Sequence, residues 1–294
     1  MTFREHLARQ QEIIDRELDR LVPAESVPPE TIHRAMRYSL FAGGKRVRPV
    51  LCLEAAYAVC AEPRGVETAA CSLEFIHTYS LIHDDLPALD NDDYRRGKLT
   101  SHKVFGEAMA ILTGDALLTL AFETLAKMNS VPDERKARVI AELATAAGTA
   151  GGMIGGQVAD LEGEGKPPDA HLLESIHRAK TGALLRASVR MGAIYAGADH
   201  EQVDAISRFG EHVGLAFQIV DDILDVEESS ESLGKTAGKD AQQHKITFPA
   251  VYGLEESRHM AERERERAHQ TLEIFGGRAE RLRDLADLIV QRKS

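Results

Sequence analysis

The sequence predicts an all-α protein folded as one helical bundle, and three observations predict it. Apolar residues recur at three- and four-residue steps along most of the chain, and no run alternates cleanly with period two. Tryptophan is absent and aromatic residues make up only 5% of the chain, while alanine and leucine, both strong helix formers, are plentiful. No run of Gly, Ser or Pro divides the 294 residues, so residues 1–294 are expected to form a single domain.

Taken in order, residues 1–21 form an amphipathic helix that ends near Pro23, and residues 29–41 form a second that closes at Gly43-Gly44. Pro49 suits the first position of the next helix, 49–59, because a helix start has no use for the N–H that proline lacks. In SLEFIHTYSLIHDD, Leu73, Ile76, His77, Ser80, Leu81 and Asp84 recur at helical spacing, and Pro87 breaks the pattern. One long apolar helix is expected from Ser101 to about Leu125. Asp115 is embedded in it and would need a hydrogen-bonding partner if buried. Helices over 133–147 and 151–161 follow. Gln157 and Asp160 share a face of the latter, and that face either lines a cavity or simply packs. A single helix is expected over 169–195 and another over 200–226. Ser229–Pro249 is polar and contains glycine, as a mobile loop would. The remaining helices read as packing elements, with AERERERA at 261–268 as a solvated charged face.

Composition excludes some functions. A formal net charge of −11 argues against nucleic acid, whose affinity for proteins comes from neutralised phosphates. It does not argue against a small diphosphate, because local bases and a bound cation set the sign inside a site. No stretch of 18 apolar residues predicts a membrane span, and the chain does not start as a basic-then-apolar signal segment. Cys52, Cys60 and Cys71 are odd in number and lie on apolar helical runs, which fits buried thiols in a reducing cytoplasm better than disulfides or a metal set.

The chemistry concentrates in two acid clusters. The first helix face ends in Asp84 and Asp85, followed past Pro87 by Asp90, Asp92 and Asp93, and then by Arg95, Arg96 and Gly97. Clustered carboxylates suit Mg²⁺, a hard ion that binds one or two carboxylates together with substrate phosphates. Adjacent arginines suit phosphate oxygens through forked hydrogen bonds. A lone cluster of this kind reads as a solvated helix end. A second cluster changes that reading: in FQIVDDILDV, Gln218, Asp221, Asp222 and Asp225 share one face of an otherwise apolar helix. Upstream, Lys45, Arg46 and Arg48 stand at a helix start, where free amides and the dipole favour an anion. Lys180 and Thr181, in KTG, add a cation and a hydroxyl within a small-residue stretch. His83, next to Asp84, points away from it on a helix and reads as structural.

The paired acid motifs, with GGKRVRP before them, RRG after the first and KTG between them, resemble the trans-prenyltransferases that make short-chain isoprenoid diphosphates, over roughly Leu18 to Arg292. The longer first motif, DDLPALD, resembles the bacterial farnesyl diphosphate synthase branch. The resemblance implies an all-α bundle of the isoprenoid (terpenoid) synthase type with a central cavity, acting as a homodimer. It implies Mg²⁺, with Mn²⁺ as a possible substitute, held by Asp84 and Asp90 and by Asp221 and Asp225, with Asp85 as a ligand or behind the ligands. Lys45, Arg48, His77 and Arg96 would hold isopentenyl diphosphate, with Arg46 a weaker candidate. Arg95, Lys180, Thr181, Gln218, Lys235 and Lys245 would hold the allylic diphosphate, the last two in a lid pattern that includes Asp240 but does not require Lys239. Asp84, Asp85, Asp90, Asp221, Lys180 and Arg95 would be the catalytic set.

The implied reaction is condensation of isopentenyl diphosphate with dimethylallyl and then geranyl diphosphate to farnesyl diphosphate. Geranyl or geranylgeranyl diphosphate is the alternative end point, and a non-catalytic partner subunit is the alternative of another class. A terpene cyclase would not need GGKRVRP and RRG, and a phosphohydrolase would need more histidines. Tyr79 and Ser80 are the chain-length candidates. Five residues back from Asp84 is about 7.5 Å along a helix, where Tyr79 is bulky, while Ser80 is small; the plainer reading makes Tyr79 a core aromatic.

Overall fold

Helix starts in this chain fall where the sequence can satisfy free backbone amides. The computed structural model describes residues 1–165, 169–231 (side chains up to Glu227) and 246–292. Helix α1, Phe3–Leu21, opens on a reciprocal cap: Thr2 Oγ1 accepts from the Glu5 amide at 3.3 Å, and Glu5 Oε2 accepts from the Thr2 amide at 2.7 Å. Then come α2 (Glu30–Leu40), α3 (Val47–Val59), α4 (Val66–Asp84), α5 (Ser101–Phe105), α6 (Glu107–Ala126), α7 (Asp133–Ala147), α8 (Met153–Gly163) and α9 (Ala170–His177). A π-helical segment, Arg178–Gly182, leads into α10 (Ala183–Ala196) and α11 (His200–Glu231). Helices α12 (Phe248–Tyr252), α13 (Leu254–Thr271) and α14 (Glu280–Gln291), with a 3₁₀ turn over Glu273–Ala279, complete the described chain. Among the described residues the only strands are β1 (Tyr94–Arg95) and β2 (Lys98–Leu99), paired antiparallel. The fold is all-α, as the sequence predicts.

Contacts divide the chain into two compact units, Met1–Leu53 with Pro63–Ile140, and Glu54–Glu62 with the residues from Ala141 onward. In the first unit α4 is the central helix, buried over nearly its whole length from Val66 to Ile82. It packs on α6, and α1 and α2 also lie against it. Its buried Glu74 is matched by buried Arg46, 2.7 Å away, so neither charge is left alone in the core. In the second unit α11 packs on α10, α13 and α14. Leu215, Ile219, Val220 and Ile223 of α11 share a core with Leu173 and Phe248.

Several sequence expectations shift. Helix α3 begins at Val47, so Pro49 is its third residue; the first turn has no intrahelical partners for its amides, and proline is tolerated there too. The long helix expected from Ser101 breaks at Gly106, whose φ of 85° continues neither helix. The helix expected over 169–195 is interrupted by the π-helical turn. Asp115 is exposed rather than buried. Glu264, in the charged run, is buried to 7% exposure and accepts from His212 Nδ1 at 2.6 Å. Helix α6 is long and apolar enough to cross a bilayer, contrary to expectation, yet it lies against α4 with Ala110, Leu117, Ala121 and Leu125 buried. Lys235, Lys239, Asp240 and Lys245 lie outside the described residues.

Candidate active site

In the first unit, α4 ends at Asp84 and the chain curls back on itself. The Asp90 amide donates to the Asp84 carbonyl at 2.8 Å, and the Asp92 amide donates to the Asp85 carbonyl at 3.2 Å. This curl brings the backbone of Asp90 to that of Asp84 despite Pro87 between them. Asp84 and Asp90 are half-buried, whereas Asp85 is 3% exposed. Arg95 grips Asp85 Oδ1 through Nε at 2.8 Å and Nη2 at 2.6 Å. Burial is the strongest influence on the Asp85 carboxyl and moves it up, against the hydrogen bond and charge of Arg95. On Arg95, burial is outweighed by Asp85, so the guanidinium is held charged more firmly than in water.

The hairpin that carries Arg95 turns through Arg96 and Gly97, both with positive φ (52° and 74°). That pair matches the two-residue turn whose twist suits antiparallel strands. Arg96 then reaches across to the basic loop and donates through Nη1 to the Gly43 carbonyl. Gly44 has a φ of 144°, which L side chains rarely adopt, and a Cβ there would stand 2.7 Å from Arg96 Nη1 and push the guanidinium aside. His77, half-buried on α4, is held neutral: burial lowers it first, then the charges of Arg48, Arg96, Arg95 and Arg46. These arginines and His77 therefore form one electropositive group within the first unit, with the acid motif at the end of the same helix. Arg46 itself is 4% exposed and bonded to Asp15, Glu74 and Leu40, a structural residue rather than a ligand. His83 bonds to the Ile111 carbonyl at 3.1 Å, in a structural role.

Tyr79 is 5% exposed, lies edge-on to His83, and its hydroxyl has no hydrogen-bond partner among the described residues. Burial, then the charge of Asp84, pushes that hydroxyl up to about 12. Ser80 turns its hydroxyl back to the His77 carbonyl at 2.9 Å.

In the second unit, Lys180 and Thr181 sit in the π-helical turn. Helix α8 approaches that turn closely, and a Cβ on Gly156 would stand 2.2 Å from the Lys180 amide nitrogen. Lys180 Nζ bonds to Asp160 of α8 at 2.6 Å. A chain of bonds then runs into the acid motif. Thr181 Oγ1 donates to Gln218 Oε1 at 2.9 Å, Gln218 Nε2 donates to Asp222 Oδ1 at 2.9 Å, and the Phe248 amide donates to Asp222 Oδ2 at 2.9 Å. His177 Nε2 lies 3.5 Å from the same oxygen. Asp222 is thus 3% exposed and fully engaged in structure, while Asp225 is half-buried and Asp221 is 56% exposed at its side chain.

The sequence reading missed Arg292. Just past α14, it donates to Asp221 Oδ1 and to the Phe217 carbonyl, both at 2.9 Å, with its guanidinium 4.1 Å above the Phe217 ring. Its signal was faint, one arginine closing an amphipathic helix. No three His, Cys, Asp or Glu side chains converge as a ready metal cage among the described residues. Mg²⁺ does not need one, because it completes its shell with water and phosphate oxygens, and the carboxylates of Asp84 and Asp90 in the first unit, like those of Asp221 and Asp225 in the second, are the oxygen donors it takes.

The family model described as polyprenyl synthetase matches residues 29–288. The chain belongs to the polyprenyl synthetase family. Among its relatives, the dimethylallyltranstransferase of Fischerella ambigua (strain UTEX 1903) is 50% identical over 294 residues, 98% of this chain and 83% of that protein. The chloroplastic heterodimeric geranylgeranyl pyrophosphate synthase large subunit 1 of Arabidopsis thaliana is 49% identical, over 99% of this chain and 80% of that one. The crystal structure of an FPP/GFPP synthase from Zymomonas mobilis superposes with a TM-score of 0.88 at 35% identity, covering 98% of each chain. The all-α bundle of this polyprenyl synthetase is accordingly the terpenoid synthase fold, and prenyl transfer is its chemistry.

Proposed function

We propose that this polyprenyl synthetase condenses isopentenyl diphosphate with dimethylallyl and then geranyl diphosphate, releasing diphosphate at each step and ending at farnesyl diphosphate. The observation that carries the reading is the electropositive group around His77 standing on the helix that ends in Asp84. Arg48 of α3 and Arg95 and Arg96 of the hairpin thereby bring cations for a diphosphate to the helix that carries a carboxylate for a metal. Asp84 and Asp90 of the first unit and Asp221 and Asp225 of the second are the carboxylates that would hold Mg²⁺, which would supply positive charge to the leaving diphosphate when bound. Mn²⁺ also prefers oxygen ligands and is the expected substitute.

In the reaction the allylic carbon–oxygen bond breaks and both electrons leave with diphosphate. The double bond of isopentenyl diphosphate attacks the allylic cation, and a proton is lost to the released diphosphate. Lys45, Arg48, His77 and Arg96 bind the isopentenyl diphosphate. Arg95, oriented by Asp85, and Lys180 take up the growing charge of the leaving group, so Lys180 must exchange Asp160 for phosphate. Thr181 gives its proton to Gln218, so that bond must open before its hydroxyl can donate to the allylic diphosphate.

Two proposals go with this reading. Residues 1–294 act as one catalytic domain in the cytoplasm, where Cys52, Cys60 and Cys71 remain thiols. The chain works as a homodimer, for which the exposed Ile111 and Leu112 of α6 offer an apolar surface.

Farnesyl diphosphate is favoured by Tyr79, buried five residues before Asp84. Geranylgeranyl diphosphate is the second reading, favoured by relatives bearing that product's name. Incubation with isopentenyl and dimethylallyl diphosphates plus Mg²⁺, followed by chromatography of the dephosphorylated products, tests both. Fifteen-carbon alcohol is expected from the wild type, a shift to twenty carbons from Tyr79→Ala, and a shift to ten from Ser80→Phe. Unchanged lengths in both variants would move the floor of the pocket elsewhere, and no product at all would leave the non-catalytic partner subunit.

A further inference from the structure

The basic stretch Gly43–Arg48, a loop that runs into the first turn of α3 at Val47, is an awkward piece of chain. Gly43, Gly44 and Arg46 all have positive φ (101°, 144° and 48°), and a non-glycine residue there is strained. Something has to hold it, and two residues one turn apart on α1 do so. Gln11 Nε2 donates to the Lys45 carbonyl at 2.7 Å, and Asp15 Oδ1 accepts from Arg46 Nε at 2.8 Å. Residues at i and i+4 on a helix stack on one face, so α1 meets two successive loop residues with one edge. Arg46 is anchored from beneath as well, by Glu74 at 2.7 Å and the Leu40 carbonyl at 2.9 Å. With the Lys45 backbone and the Arg46 side chain both fixed, the directions taken by Lys45 and Arg48 are set by α1, a helix the proposed chemistry does not otherwise use.

We infer that Gln11 and Asp15 are positioning residues for the isopentenyl diphosphate subsite, holding the loop in the conformation that presents Lys45 and Arg48. The inference rests on the reading above that Lys45 and Arg48 bind that diphosphate. Neither α1 residue touches the substrate. Each works by keeping a strained backbone in its binding conformation, so that binding energy is not used to order the loop. Asp15 is the outer partner of Arg46, half-exposed where Glu74 is buried, so removing its charge leaves Arg46 paired.

The test is steady-state kinetics of Gln11→Met, Asp15→Asn and Lys45→Ala, varying isopentenyl diphosphate and geranyl diphosphate in turn. Gln11→Met and Asp15→Asn should each raise the KM for isopentenyl diphosphate roughly three- to ten-fold, the factor one net hydrogen bond confers. Turnover and the KM for geranyl diphosphate should stay within about two-fold. Lys45→Ala should raise the same KM by more. If Lys45→Ala does so while the two α1 variants match the wild type, the positioning role is overturned and the loop assignment stands. If Lys45→Ala leaves that KM unchanged, the loop assignment fails and the positioning role fails with it. Equal losses for both substrates, accompanied by a lower melting temperature, would reduce α1 to a structural prop and also overturn the inference.

Discussion

The two acid motifs each bury one aspartate, Asp85 and Asp222, to the same 3% exposure and leave the flanking acids more accessible. The buried pair are neutralised in different ways. Asp85 is met by a cation, Arg95, at 2.6 Å. Asp222 is met mainly by neutral donors, the Gln218 amide and the Phe248 backbone N–H. The difference follows from where each lies. Asp85 closes a helix, and the hairpin just beyond it returns an arginine. Asp222 sits inside a continuous helix and receives the backbone of a segment that re-enters 26 residues later. Within each motif, then, the buried acid organises the surroundings, and the outer acids remain the more open ones. The first motif organises by charge and the second by hydrogen-bond direction.

The largest expected effect tests the division between outer and buried acids. Asp84→Ala and Asp221→Ala should each lose roughly a thousand-fold or more in turnover while remaining folded. Chelation of the metal should abolish activity reversibly. Wild-type turnover from Asp221→Ala at saturating Mg²⁺ would remove the second motif from the reaction. Next comes the contrast between the buried acids. Asp85→Asn leaves Arg95 only the more distant Asp92, at 3.9 Å, and should cost about 1.5–3 kcal/mol, whereas Asp222→Asn keeps one acceptor and should cost about 1 kcal/mol. Urea midpoints would rank them, and equal costs would break the comparison. The smallest effect concerns the positive charges gathered around His77. His77 has its folded pKa lowered below the ordinary 6.5, so the unfolded chain takes up a proton there first. Stability contributed by neutral His77 is therefore intact above about 6.5 and declines as pH falls below it. A His77→Gln variant should show a flatter acid limb in a melting-temperature series, and identical limbs would mean that the arginines do not press on His77.

The sequence made the helices, both acid motifs and the basic loop legible, because each is a local pattern of spacing. Most of its failures are matters of distance along the chain. That Arg46 is buried and structural, unlike its neighbours Lys45 and Arg48, depends on Asp15 and Glu74, about thirty residues away on either side. The contact of Arg292 with Asp221 spans 71 residues, and nothing in the local pattern at either end announces it. The π-helical turn at Lys180 was hidden for a related reason. A widened turn uses the same residue types as an α-helix, and the turn sits where Gly156 lets another helix press on it. Asp115 erred in the opposite direction, because an apolar surrounding sequence was read as burial when that face of α6 is open.

Arg96 and Arg46 also matter to anyone trying to make this protein more robust. Both hold a backbone handedness that L-residues resist, at a cost on the order of 1–2 kcal/mol each. An optimisation scored on heat tolerance alone would exchange Arg96 for glycine or asparagine and record an improvement, although the exchange would remove a guanidinium from the group around His77. At position 46 it would record a loss, because the relieved strain is smaller than the cost of leaving buried Glu74 without its counter-charge. Thermal screening and activity screening should therefore disagree at position 96 and agree at position 46, and a hardened variant of this protein is best sought with both arginines kept as they are.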